Sequence, residues 1–400
     1  MNENVRGSNQ ESIQATNREL VLNLVRQKGI CSRVVVAKET HLKQATITYI
    51  TNDLIKLGLI REVGLIQGNK GRRSIGISID ETVYGVIAIR LARKNYEIGI
   101  ANLAGKIEHK KNYSTKNMSS PQDILNCICQ SVYALLQKNE GKKILAIGIS
   151  VPGPFNSKEK KIALMTGTMG WENISLEKEL FYEFKIPVLL EQDANAGALT
   201  QLWFSDKDYS SGVLMYVSAG QGIGAGILVN GKILQGSIGI AGEIGHTTID
   251  YRGPKCACGN RGCLEKYCST ISLLAAVNET GNSGQEYSLD DIKKLVREKD
   301  EYCLNKYLEC CDYMAVGIVN IMNSFNPDVI VLGDELVSIE PEIFIKRVRE
   351  KVQGCVLPEV WENTLIVKST IEEDVELYGA AITAIRDIYQ RSSEYLDRIK

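Results

Sequence analysis

Ser218-Ala219-Gly220-Gln221-Gly222-Ile223-Gly224-Ala225-Gly226 is the stretch on which the reading of this chain turns. An apolar run over 212–218 leads into it and reads as a strand, 220–224 as a tight turn, and 225–229 as a returning strand. Asn230-Gly231 follows at once, and Asn-Gly between two strands is the strongest short hairpin signal. The bland reading of the glycine run is that it simply shapes the tight hairpin.

Working outward, the same pattern occurs earlier. Strands are predicted over 83–90 and 96–102, with a third after Gly105, then a helix over 121–137 and an apolar strand over 144–150. Two α/β halves that each open on a β-hairpin predict a two-lobed body with a ligand cleft between the lobes.

Residues 1–80 read differently. From Asn17 to Lys28, Leu20, Val21, Leu24 and Val25 recur at helical spacing, and Gly29 ends the helix. Ser32 caps a short second helix carrying Val35 and Val36. After Thr40-His41 a third helix buries Leu42, Ile47, Ile50, Leu54 and Leu57 and ends at Gly58. Its other face shows Lys43, Gln44, Thr46, Thr48, Tyr49 and Asn52, mostly amide, hydroxyl and amine groups of the kind that read base edges and phosphates in a major groove. Strands over 59–66 and 74–79, the second alternating Ile75, Ile77 and Ile79, flank the turn Gly68-Asn69-Lys70-Gly71. That hairpin is a wing, with Lys70, Arg72 and Arg73 placed to reach phosphate or the minor groove. The competing reading is a basic helical bundle that mediates protein contacts.

Charge supports the division. Residues 1–80 hold 12 Lys/Arg against 7 Asp/Glu, a net of +5, which leaves −6 for the rest of a chain whose total is −1. A basic head on an acidic body predicts that only the head meets a polyanion. At 400 residues the chain exceeds one ordinary core, and domains are expected over 1–80, 81–205 and 206–400, the C-terminal helix returning to the first lobe. A polar N-terminus and the lack of a long apolar run predict a cytoplasmic protein. In that compartment 11 cysteines point to metal binding or core filling ahead of disulfides.

Cys256, Cys258 and Cys263 fall within eight residues, and His246 lies ten positions upstream. Three thiolates and one imidazole suit a tetrahedral structural Zn2+ with no open position for metal catalysis. Cys268 is a nearby thiol ranked below these three, and Cys127, Cys129, Cys310 and Cys311 read as core fillers on helices.

Taken in order, Val151-Pro152-Gly153-Pro154, Glu191-Gln192-Asp193-Ala194-Asn195-Ala196, the glycine stretch quoted above, Gly242-Glu243-Ile244-Gly245-His246, Cys256-Ala257-Cys258-Gly259-Asn260-Arg261-Gly262-Cys263-Leu264-Glu265 and Asn326-Pro327-Asp328-Val329-Ile330-Val331-Leu332-Gly333 resemble the ROK family (repressors, open reading frames, kinases). The resemblance runs from about residue 83 to 385 and implies an actin/hexokinase-type, ribonuclease-H-like body. With the winged helix-turn-helix attached, the chain resembles the xylose-repressor branch.

The resemblance implies a sugar pocket lined by Glu243, His246 and Glu265 with Asp193 beside them, and Gly153 and Asn156 as loop contributors. His246 would serve both metal and sugar through its two ring nitrogens. Gln192 stands where the family commonly has Asn, which alters one hydroxyl contact. The competing reading of Asp193 is a helix cap, since Ala194-Asn195-Ala196 opens a helical run.

A kinase of this family would use Asp193 as general base and an Asp-x-Gly-x-Thr loop in the first hairpin to hold ATP phosphates and Mg2+. Here the matching stretch is Ile89-Arg90-Leu91-Ala92-Arg93-Lys94, with Arg90 near the Asp position and neither glycine nor threonine. The second phosphate turn keeps its glycines but carries the bulky Gln221. No ATP or Mg2+ is therefore expected, and Asp193 would be a vestigial base. The reading is a sugar-responsive regulator that binds double-stranded operator DNA, released by a monosaccharide of the xylose or glucose class. A homodimer is expected, with a tetramer left open. The alternative is a sugar kinase that phosphorylates a hexose with ATP.

Overall fold

The computed structural model describes residues 10–67, 73–116, 118, 120–162, 170–205, 209, 211–279, 286–371 and 374–398. Lys70 and Arg72 of the expected wing lie outside the described residues.

The head forms as its punctuation predicts. Helix Gln10–Lys28 stops at Gly29, whose φ of 68° glycine adopts freely. Ser32 caps helix Arg33–Thr40 through its hydroxyl, which accepts from the Val35 amide at 3.3 Å. Helix Gln44–Lys56 follows, and strands Ile60–Gln67 and Arg73–Ile79 pair antiparallel. A two-residue strand, Cys31–Ser32, adds to the outer side of Arg73–Ile79. Val21, Leu22, Val25, Val36, Ile47, Ile50, Leu54, Ile77 and Ile79 make the core.

Three expectations need correction. Leu20 is 42% exposed and Leu22 takes its place in the core, because the first helix packs against strand Arg73–Ile79 as well as its two sister helices, which rotates the buried arc. Leu42 and Leu57, at the ends of the third helix, are only half-buried. Ile75 is 44% exposed, because the ladder shifts register between Glu62 and Leu65. That bulge, with Gly64 at φ 90°, turns the Leu65–Ile75 pair outward.

Among the described residues the body contains two five-stranded sheets. The first has the order Val188–Gln192, Lys143–Val151, Tyr84–Leu91, Asn95–Asn102, Ile107–Ser114. Helix Pro121–Lys138 starts at a capping box in which Ser120 and Asp123 satisfy each other's amides. The second has the order Lys232–Ile233, Ile223–Val229, Val213–Ala219, Val329–Gly333, Leu365–Lys368. Asn230 and Gly231 turn its hairpin with φ of 50° and 70°.

The chain divides into two compact units, and both are discontinuous along the sequence. One comprises Met1–Ile149, Asn173–Leu190 and Ala380–Lys400; the other comprises Ser150–Glu172 and Glu191–Gly379. Ser150–Glu172 and residues 191–205 thus group with the second half. Compactness follows contacts between distant strands and helices, which the order of elements along the chain does not display.

Helix Asp193–Phe204 lies hard against strand Ile223–Val229 inside the second unit. A methyl group on Gly226 would meet the Ala194 carbonyl oxygen at 2.1 Å, and backbone has no room to yield. Gly226→Ala is therefore expected to cost about 3 kcal/mol, the upper part of the overpacking range. Thermal melting should show a fall of roughly 5–10 °C; an unchanged midpoint would mean the helix is not seated so closely.

Candidate functional site

The site is built where strand Val188–Gln192 runs into helix Asp193–Phe204. Glu191 is buried, and its Oε1 accepts from the Gln192 amide at 3.0 Å and from Asn195 Nδ2 at 2.9 Å. Asp193 Oδ1 accepts from the Ala194 amide at 2.7 Å. Both carboxylates sit at the positive end of the helix, which favours their charge. Gln192 holds the cap position, so Asp193 is the first helical residue and not the cap itself.

Gln192 is 3% exposed. Its Nε2 donates to Glu243 Oε1 at 2.9 Å, while its Oε1 is buried with no hydrogen-bond partner among the described residues. A Cβ on Gly153 would lie 2.2 Å from Gln192 Nε2, so the bare glycine is what admits the longer amide. Burial raises the pKa of Glu243, with the Gln192 donor and His246 acting in the opposite sense.

His246 ends the short 3-10 turn Ile244–His246. Its Nε2 lies 3.8 Å from Glu243 Oε2, and its Nδ1 lies 3.5 Å from Glu265 Oε1 and 3.7 Å from Cys256 Sγ. The ring thus shows one nitrogen to a carboxylate and the other to the cysteine cluster. Gly153, Gln192, Glu243, His246 and Glu265 form one connected group. Asn156 is engaged in its own loop instead, where its Oδ1 accepts from the Lys158 and Glu159 amides and closes the small hairpin of Phe155–Asn156 with Lys161–Ile162.

The ligand atoms of His246, Cys256, Cys258 and Cys263 all lie within 4.8 Å of one another. Two thiolates on a tetrahedral zinc at about 2.3 Å stand about 3.8 Å apart, and Cys258 and Cys263 Sγ are 3.7 Å apart. Burial pushes the Cys263 thiol up to about 12, whereas the Asn260 amide lowers that of Cys258. A cation is what would hold all three as thiolates. The residues fit a metal. Cys268 is fully buried and outside the cluster. Asn260, which sequence reasoning passed over, braces the loop by donating to the His246 carbonyl at 3.1 Å and to Thr248 Oγ1 at 2.9 Å.

In the head, Lys43, Gln44, Thr48, Tyr49 and Asn52 are exposed and Thr46 is half-buried. Tyr49 is 62% exposed. Thr48 Oγ1 donates to the Gln44 carbonyl, which leaves its lone pairs outward. Arg73 is exposed at the start of its strand. Two arginines missed by sequence reasoning position the helix. Arg33 donates to Thr51 Oγ1 at 2.9 Å, Asn52 Oδ1 at 3.3 Å and Glu62 Oε1 at 2.9 Å. Arg18 joins Asp53 and Ser393, both at 2.5 Å.

In the first hairpin of the body, Arg90 stands opposite Glu97 across the strands, with Nη1 3.7 Å from Oε2. Asn112 Nδ2 donates to the other oxygen of Glu97 at 3.1 Å. The arginine is drawn into a cross-strand ion pair with a buried carboxylate.

A xylose repressor from Caldicellulosiruptor bescii is 30% identical over 393 residues, covering 95% of this chain and 98% of its own. The Escherichia coli regulator NagC is 28% identical and covers 91% of each chain. A crystal structure of a ROK family transcriptional regulator, described as a homolog of the E. coli MLC protein, superposes with a TM-score of 0.82 at 26% identity. It covers 96% of this chain and 100% of its own. A ROK hexokinase from Thermus thermophilus, 24% identical with a TM-score of 0.63, covers 75% of this chain and 97% of its own, and shares the fold. Residues 86–387 match the ROK family, and the chain belongs to it.

Proposed function

We propose that this protein is a transcriptional repressor of carbohydrate-utilisation genes that binds operator DNA as a homodimer in the cytoplasm and is released by a monosaccharide of the xylose or glucose class. The observation that carries the reading is the extent of the likeness. The xylose repressor is matched over 98% of its length, from the head to the end of the body. The hexokinase covers only 75% of this chain.

The exposed side chains of helix Gln44–Lys56 read bases in the major groove, and the basic wing contacts phosphates. A dimer places two such helices about 34 Å apart, one turn of DNA. Gln192, Asp193, Glu243, His246 and Glu265 bind the sugar, with carboxylates accepting pairs of hydroxyls and Gln192 Oε1 supplying a buried acceptor that awaits a donor. A sugar with higher affinity for the form that does not hold DNA shifts the population off the operator. Zinc at His246, Cys256, Cys258 and Cys263 serves structure, tying the loop that carries His246 to the start of helix Glu265–Cys268. ATP is not turned over, because Arg90 is engaged with Glu97 where a kinase would hold magnesium and phosphate.

The test is a titration of the full chain onto its own upstream DNA at several salt concentrations, with and without a panel of pentoses and hexoses. Binding should weaken steeply with salt, and one sugar should lower operator affinity by roughly tenfold or more. Binding that ignores every sugar would remove the effector reading. Failure to bind at low salt would remove the repressor reading altogether.

A further inference from the structure

The turn over 218–222 keeps the glycines of a phosphate-binding loop, yet two of its donors are already in use. The Ser218 hydroxyl donates to Asp334 Oδ2 at 2.6 Å. The Gly220 amide donates to the Gly222 carbonyl at 3.0 Å. A Cβ on Gly220 would fall 2.4 Å from Asp334 Oδ2, so the carboxylate lies in the space that the missing side chain leaves open.

Asp334 is held there against its own backbone preference. It follows strand Val329–Gly333, which pairs in parallel with Val213–Ala219 and brings residue 334 level with the turn. Its φ is 79° and its ψ −173°, a conformation that glycine adopts freely and other residues rarely do. Its second oxygen, Oδ1, accepts from the Glu335 amide at 2.7 Å. A residue kept in a glycine conformation with both oxygens committed acts as an internal anion for the turn.

We propose that Asp334 is a specificity residue that closes the Ser218–Gly222 turn to phosphates. Its carboxylate fills the turn with negative charge and uses the hydroxyl that a phosphoryl oxygen would take. This inference deepens the reading above, in which the chain does not turn over ATP, and names the residue responsible at the second turn. It adds to the loss of the first loop at Arg90 and is separable from it.

The experiment uses the full-length protein and the variants Asp334→Gly, Asp334→Asn and Ser218→Ala, titrated calorimetrically with tripolyphosphate and with Mg-ATP. Removing a like charge at hydrogen-bond distance should raise tripolyphosphate affinity by about tenfold or more in Asp334→Gly. Asp334→Asn should gain less, since its amide still fills the turn, and Ser218→Ala should gain nothing because the anion stays. Asp334→Gly should also melt no lower than Asp334→Ala, glycine being at ease with the backbone there. Tripolyphosphate binding to the unaltered protein as tight as to Asp334→Gly would overturn the proposal. So would a folded Asp334→Gly and a folded Asp334→Asn that both gain no affinity. Operator binding and its sugar response, measured on the same preparations, report separately on the repressor reading.

Discussion

Glu243→Ala is expected to leave operator binding within about twofold of the unaltered protein while lowering sugar affinity by about 10²–10³-fold. In the proposed pocket Glu243 would accept two sugar hydroxyls: Gln192 Nε2 fixes one of its oxygens at 2.9 Å, and His246 Nε2 stands 3.8 Å from the other. Hydrogen bonds to a charged acceptor contribute about 1.5–3 kcal/mol each; two at the weaker end of that range cost about 3–4 kcal/mol, which is about 10²–10³-fold. Truncation also strips Gln192 Nε2 of its partner in a site where Gln192 Oε1 already has none among the described residues, which adds desolvation cost in both sugar-free and sugar-bound forms. Glu243→Gln keeps an acceptor of the same shape and should lose only about tenfold. Calorimetry with the effector sugar, alongside a gel shift of the operator, separates the two quantities. A Glu243→Ala protein that still leaves DNA at the original sugar concentration would place the effector site elsewhere.

The head was legible because its signals are local. Gly29, the Ser32 cap and, apart from the half-buried Thr46, the exposed face of Gln44–Lys56 each depend on neighbours within a few residues, and each stands as read. What failed was set by packing at longer range. Leu22 replaces Leu20 in the core because the strand Arg73–Ile79 lies on the first helix, and Ile75 turns out because of a bulge at Gly64. The same distinction divides the site. The four candidate metal ligands lie within one short stretch of chain, so spacing alone assembled them. The contact between Gln192 and Glu243 joins residues 51 apart, and only the family resemblance brought them together. Glu191, Arg33 and Asp334 escaped notice for another reason. A buried carboxylate under a helix start, an arginine behind the exposed face of Gln44–Lys56 and an aspartate in a glycine conformation have no periodicity to betray them.

The candidate metal cluster and the proposed sugar group share His246, and this predicts that they cannot be perturbed independently. Nδ1 faces Cys256 and Nε2 faces Glu243, so the ring orientation that suits one side fixes what the other receives. Glu265 sits at the same junction, its Oε1 3.5 Å from His246 Nδ1 and 3.2 Å from Cys256 Sγ. Cys258→Ser, or treatment with a strong chelator, should therefore lower sugar affinity by about 10–100-fold, the usual consequence of disturbing a partner of a metal-bound histidine. The same change should lower the melting temperature, because the loop over 246–263 has little apolar packing of its own and two of its cysteines are buried. Metal content by mass spectrometry should read one zinc per chain before treatment and far less after it. Cys268→Ser is the control: its thiol is buried outside the cluster, so any loss of stability should come with full metal content. If Cys258→Ser retains both zinc and sugar affinity, Cys258 is not a ligand. If it loses zinc and keeps sugar affinity, then His246 is oriented by Glu243 and Glu265 alone, and the cluster serves stability without serving the ligand.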